Sequence, residues 1–143
     1  MNLQKIKTQV VAEDWQDAIR KAGALLVAAG SCEQAYVEAM VQSVKELGPY
    51  IVLTPHVALA HARPSAAVKE NDISLVVLKN PINFNHEAND PVNLVFAFCA
   101  KSNEGHMEQL GKLSNYLSDQ KIIEQVANAK TAETVLTIFE QAN

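Results

Sequence analysis

Gly48-Pro49-Tyr50-Ile51-Val52-Leu53-Thr54-Pro55-His56-Val57-Ala58-Leu59-Ala60-His61-Ala62-Arg63-Pro64 places two of the chain's four histidines and an arginine in a run that is otherwise apolar. Tyr50 to Leu53, and Val57-Ala58-Leu59 after a break at Pro55, read as strand. Side chains alternate along extended backbone, so His61 and Arg63 share a face with Val57 and Leu59. Pro64 disfavours helical geometry at Arg63 and keeps that end extended. His56 and His61 are five apart, so an unbroken strand sets them on opposite faces. Only a bulge or turn between them brings both to one site.

A buried imidazole needs a hydrogen-bond partner or a chemical task. An unprotonated imidazole beside a guanidinium suits phosphate chemistry: the ring is the nucleophile, and arginine holds phosphoryl oxygens bidentately. Composition alone favours a plainer reading, in which His61 is a hydrogen-bonded core histidine and Arg63 a surface charge.

The residue pattern resembles the active-site signature of the mannitol/fructose-type IIA components of the bacterial phosphoenolpyruvate-dependent sugar phosphotransferase system. Glu46, Leu53, Val57-Ala58-Leu59, His61 and Ala62 fall on that signature. Thr54 stands where Gly or Ala is usual, and Ala60 replaces the proline before the histidine, which removes a backbone restraint. Gly48-Pro49-Tyr50, Ala62-Arg63-Pro64, Val68-Lys69 and the segment from Phe84 to Val92 resemble the ascorbate-specific branch. The resemblance runs from about Trp15 to the last helix.

That resemblance implies that His61 is phosphorylated on a ring nitrogen by the phosphocarrier protein HPr. It then passes the phosphoryl group to a cysteine of the cognate IIB component during sugar uptake, with ascorbate as the sugar of that branch. The membrane IIC transporter is an indirect partner, and the scheme needs no metal or organic cofactor. His106 matches a second histidine that the family keeps near the first, which gives it a supporting role. Arg63 is a partner-facing or phosphate-facing contact, and His56 a further binding candidate. Without the resemblance, His106 reads as a capping histidine exposed on a helix end.

Bulk properties set the frame. The chain of 143 residues is most simply one domain, residues 1–143, long enough to bury about 68–70% of its unfolded surface. Its net charge of -4 offers no basic field for nucleic acid. No apolar run approaches the length of a membrane span, and Met1 to Lys7 lacks a secretory signal's apolar stretch, so a cytoplasmic protein is expected. Cys32 and Cys99 sit in apolar surroundings without metal-type spacing and read as reduced thiols.

Along the chain, Ile6 to Val11 reads as a short edge strand. Trp15, Ala18, Ile19, Ala22, Leu25 and Leu26 recur at helical spacing up to Gly30, and Ser31 is the expected cap of a second helix ending at Gly48. Ile73 to Leu78 reads as a central strand broken by Asn80-Pro81, and Val92 to Ala100 as a second buried strand. The segment from Phe84 to Pro91 is a loop around His86. His106 opens a helix with Met107, Leu110, Leu113 and Leu117 inward. Two more helices follow, the last capped by Thr131. The alternation predicts an α/β domain with a mixed sheet, and the resemblance implies helices on both sides of that central sheet.

Two other functions fit parts of this pattern. A non-transferring regulatory module would keep the fold and use phosphorylation of His61 to control a partner. A metal enzyme would use His56, His61, His86 and His106 as ligands. The oligomeric state is open from the sequence.

Overall fold

Alternation along four strands sorts the apolar side chains into two layers, one on each face of a sheet. The computed structural model describes residues 1–142. After a 3-10 turn at Leu3–Lys5 come β1 (Ile6–Val10), α1 (Trp15–Ala28), α2 (Gln34–Leu47), β2 (Val57–Ala60), β3 (Asp72–Ile82) and β4 (Val92–Cys99). α3 (Asn103–Leu117), α4 (Gln120–Ala127) and α5 (Ala132–Gln141) complete the order. The sheet runs β1-β3-β4-β2, with β1 parallel to β3, β3 antiparallel to β4, and β4 parallel to β2. β1 is therefore an edge strand, and the two aliphatic strands lie at the centre, as the sequence pattern predicts.

Ala58, Ala60, Val76, Leu78, Val95 and Ala97 pack with Ile19, Leu26, Tyr36 and Met40 of α1 and α2. The alternate positions Val57, Leu59, Leu75, Val77, Leu94, Phe96 and Phe98 pack with Leu113, Ile123, Val126, Val135 and Phe139 of the last three helices. This is the mixed sheet flanked by helices on both sides. Ser74 is the polar exception inside it, and its hydroxyl donates to the Ala22 carbonyl at 2.7 Å, tying β3 to α1.

Several elements depart from the sequence reading. Tyr50 to Leu53 is not strand: Gly48 has φ +84, Tyr50 and Ile51 form a turn, and only Val57–Ala60 pairs with β4. Ile51 and Val52 are buried all the same, and the Ile51 carbonyl accepts the Leu59 N–H at 2.9 Å, so this stretch flanks β2 rather than preceding it in line. Ser31 does not cap α2. It lies two residues before the cap position, its hydroxyl donates to the Asp72 carboxylate, and Glu33 holds the cap without a side-chain bond to the helix.

β3 continues through Asn80-Pro81 to Ile82. Residues 79–81 are exposed and lie where the pairing register shifts, so the proline costs no ladder bond there. Met107 is 67% exposed, because the inward row of α3 is Gly105, Gln109 and Leu113, spaced by four. Thr131 caps α5 as expected, accepting the Thr134 N–H at 3.1 Å. Among the described residues, no helix is long and apolar enough to cross a membrane.

Candidate functional site

β2 ends at Ala60, and the next residue, His61, sits on the face set by Val57 and Leu59. Its ring lies flat on Phe98 of β4, with centroids 5.0 Å apart and planes 15° apart. The His106 ring meets it edge-on at 5.3 Å, and the Tyr50 ring does so from another side at 5.7 Å. Three aromatic neighbours thus fix the plane of one imidazole.

The His61 Nδ1 is 2.8 Å from the Leu59 carbonyl oxygen. A carbonyl can only accept, so this contact assigns the proton to Nδ1 and leaves the lone pair on Nε2. Burial pushes the His61 pKa below its ordinary 6.5, and the neighbouring His106 pushes the same way, against the Leu59 hydrogen bond. A neutral imidazole with a defined free nitrogen is the form needed by a nucleophile.

His106 reaches the site from the start of α3. The Ser102 hydroxyl caps that helix by accepting the Gly105 N–H at 3.1 Å, and the His106 N–H closes the first helical bond to the Ser102 carbonyl at 2.9 Å. Gly105 allows the close seat of this turn. A Cβ there would lie 2.7 Å from the Asn71 side-chain amide, whose oxygen accepts the Lys101 N–H. His61, His106, Arg63, Asn103, Ser43 and Tyr50 line one surface cavity of about 310 Å³. It combines a guanidinium, a helix N-terminus and two imidazoles, a surrounding that suits a phosphoryl group.

The other two histidines lie elsewhere. His56 has φ +73 at the opposite end of β2, and its Nδ1 meets the Pro91 carbonyl at 2.7 Å. The structure does not bring it to His61. His86 organises its own loop: its Nδ1 accepts the Ala88 and Asn89 N–H groups, while the Asp90 carboxylate accepts those of Phe84 and His86. Among the described residues, no group of three or more His, Cys, Asp or Glu side chains could hold a metal ion.

Sequence reasoning overlooked Tyr36. It reads as one more apolar position of α2, yet its buried hydroxyl lies 3.1 Å from the Ala62 carbonyl and 2.8 Å from that of Phe98. It also accepts the Ala62 N–H at 3.0 Å. A tyrosine on the inward row of a helix is itself a signal, since a buried phenol needs partners.

Comparison with known proteins follows the same lines. The family model for the phosphoenolpyruvate-dependent sugar phosphotransferase system, EIIA 2, matches residues 1–142. The chain is 37% identical over 139 residues to the ascorbate-specific PTS system EIIA component of Shigella boydii, covering 96% of this chain and 90% of that protein. The crystal structure of IIA mannitol from Escherichia coli is similar at a TM-score of 0.86 and 28% identity, over 97% of this chain and 98% of that one. Enzyme IIAMTL in its Escherichia coli complex with phosphorylated enzyme IIBMTL is similar at a TM-score of 0.87 and 27% identity, over 99% and 97% of the two chains.

Proposed function

The chain belongs to the EIIA 2 family of the phosphoenolpyruvate-dependent sugar phosphotransferase system, and we propose that His61 is the residue through which this phosphotransferase carries its phosphoryl group. The observation that carries the reading is the hydrogen bond from His61 Nδ1 to the Leu59 carbonyl, which leaves Nε2 as the nucleophile.

The lone pair of Nε2 attacks phosphorus on the phosphohistidine of HPr. The old P–N bond breaks, and its electron pair returns to the HPr imidazole. Nδ1 keeps its proton throughout, held by Leu59, so the step needs no base. In the second transfer a cysteine thiolate of the cognate IIB component attacks, and the P–Nε2 pair returns to His61. Loose, in-line transfer of this kind depends on positioning and charge stabilisation. His106 and the N-terminal turn of α3 supply donors, and Arg63 stands at the same cavity as a fixed positive charge. His56 has no part in this chemistry.

The IIB partner is supported by the mannitol complex, and ascorbate as the sugar by the names of the relatives that share over a third of their residues with this chain. We further propose HPr as donor, a membrane IIC component as the final partner and a cytoplasmic location, with membership of such a system as the support.

The test mixes the purified protein with phosphoenolpyruvate, enzyme I and HPr, then adds IIB candidates, with intact mass as readout. Wild type gains an acid-labile phosphoryl group and loses it to an ascorbate-type IIB, whereas His61→Ala gains none. A His61→Ala variant that still labels would sink the assignment. A labelled wild type that discharges to no IIB would favour the regulatory module instead.

A further inference from the structure

β2 and β4 pair in regular parallel register as far as Ala60 and Ala97. One step further, at His61 and Phe98, the assigned ladder stops, and the catalytic ring stacks on the phenyl there. An edge strand leaving its sheet is a poor platform for a nucleophile, because backbone that lacks ladder bonds is free to move. The proline that the family signature carries before the histidine is also absent here, with Ala60 in its place.

What ties the two chains together beyond the ladder is the hydroxyl of Tyr36. It accepts the Ala62 N–H at 3.0 Å and lies 2.8 Å from the Phe98 carbonyl, with the Ala62 carbonyl at 3.1 Å. A phenol has one proton, so the shorter contact to Phe98 takes the donated bond and Ala62 supplies the accepted one. A single oxygen thereby stands in for a missing ladder rung. It joins the residue after His61 to the residue whose ring His61 rests on. Tyr36 is 1% exposed, and burial raises its pKa, so the group stays a neutral phenol able both to donate and to accept.

We propose that Tyr36 is a positioning residue for phosphoryl transfer, which clamps the backbone on either side of the His61–Phe98 stack and so aims Nε2 into the cavity shared with His106 and Arg63. It touches no reacting atom and acts through Ala62 and Phe98. The proposal rests on the reading of His61 as the phosphoryl acceptor.

Tyr36→Phe removes the oxygen and keeps the ring. With the clamp gone, the His61 ring loosens into water, so its pKa rises toward the ordinary value and its preference for the Nδ1–H tautomer weakens. His56 and His86, on other elements, serve as internal controls in the same nitrogen-detected NMR titration. Phosphoryl uptake from phospho-HPr falls about tenfold or more, as misaimed nucleophiles do. A folded Tyr36→Phe protein with wild-type His61 titration and tautomer overturns the proposal, whatever its transfer rate.

If Tyr36→Phe does not fold, amide exchange in the wild type decides. An Ala62 amide protected at least tenfold over its Arg63 neighbour supports the clamp, and one that exchanges equally fast overturns it. Failure of wild type to take a phosphoryl group would sink the transfer reading and with it Tyr36's part in transfer, whereas a wild type that labels while Tyr36→Phe leaves the His61 titration unchanged would sink the clamp alone.

Discussion

The imidazole of His61 lies nearly parallel to the phenyl ring of Phe98, with 5.0 Å between ring centres, and this contact with the sheet core half-buries the proposed nucleophile. Burial disfavours the imidazolium, and His106 beside it does the same. The His61 pKa therefore lies below 6.5, and the ring stays neutral to lower pH than a free histidine.

Phosphoryl uptake should accordingly hold its plateau as pH falls through 6.5 and decline only below the depressed pKa of His61. Stability depends on pH with a related sign. Between the folded pKa and 6.5 the unfolded chain binds more protons at this residue, so stability rises with pH across that window and is lost as pH falls through it. Urea midpoints measured across the window for wild type and His61→Gln should converge as pH drops. A wild-type midpoint with no steeper acid dependence than that of the variant would contradict a half-buried neutral His61.

In the proposed transfer His106 makes two separable contributions. It is edge-on to His61 at 5.3 Å, where it would donate to a phosphoryl oxygen on Nε2 under the proposed chemistry, and it lowers the pKa of His61. His106→Ala should slow phosphoryl uptake by on the order of 100-fold, the usual cost of one lost transition-state donor. The same variant should titrate His61 closer to its ordinary value. Single-turnover labelling and an NMR titration read the two effects independently.

Much of this was legible in the residues. Continuous apolar runs rich in β-branched residues, from Ile73 to Leu78 and from Val92 to Ala100, marked the central strands, and the glycines at 30 and 48 marked helix ends, both with positive φ. The signature around His61 and the helix-start position of His106 placed the two rings the structure brings together. Tyr50 to Leu53 misled because burial and β-rich composition do not distinguish a strand from a turn packed beside one. Ser31 misled because long-range pairing holds this stretch out of the helix: the Ser31 carbonyl accepts the Lys69 and Glu70 N–H groups, Cys32 bridges Val68, and α2 starts only at Gln34. The Tyr36 clamp was hidden for a similar reason: its partners are the backbone of Ala62 and Phe98, which carry no signal in residue identity.

The two cysteines should be inert in the native protein. Cys32 and Cys99 are free and buried, at 4% and 0% exposure, and the Cys99 thiol meets the Glu70 carbonyl at 3.3 Å. The hydrogen bond shared between them, with burial added, pushes the Cys99 thiol pKa up, while the same bond pushes that of Cys32 down, so scarce thiolate protects Cys99 and burial alone protects Cys32. An aromatic disulfide reagent at neutral pH should titrate no thiol until denaturant is added, and then two per chain. Rapid native reaction at Cys99 would show that the β4 end of the sheet opens far more readily than its packing implies.

Stability and chemistry should come apart at Gly23. This glycine lies on the face of α1 against α2, and a Cβ there would stand 2.7 Å from both methyls of Val37. Valine in a helix has one favoured rotamer, so it cannot swing aside, and the two helices must separate instead. Gly23→Ala gains helix propensity of about 1 kcal/mol but overpacks a closed contact, a cost of about 1–3 kcal/mol. The expected net is a lower urea midpoint. Neither α1 nor Val37 lines the His61 cavity, so phosphoryl uptake per folded molecule should stay at the wild-type rate. A variant of unchanged midpoint would mean that the helices already have slack at this crossing. One with slowed transfer would mean that strain at the α1–α2 contact reaches Tyr36, one residue before Val37, and through its hydroxyl the backbone that aims His61.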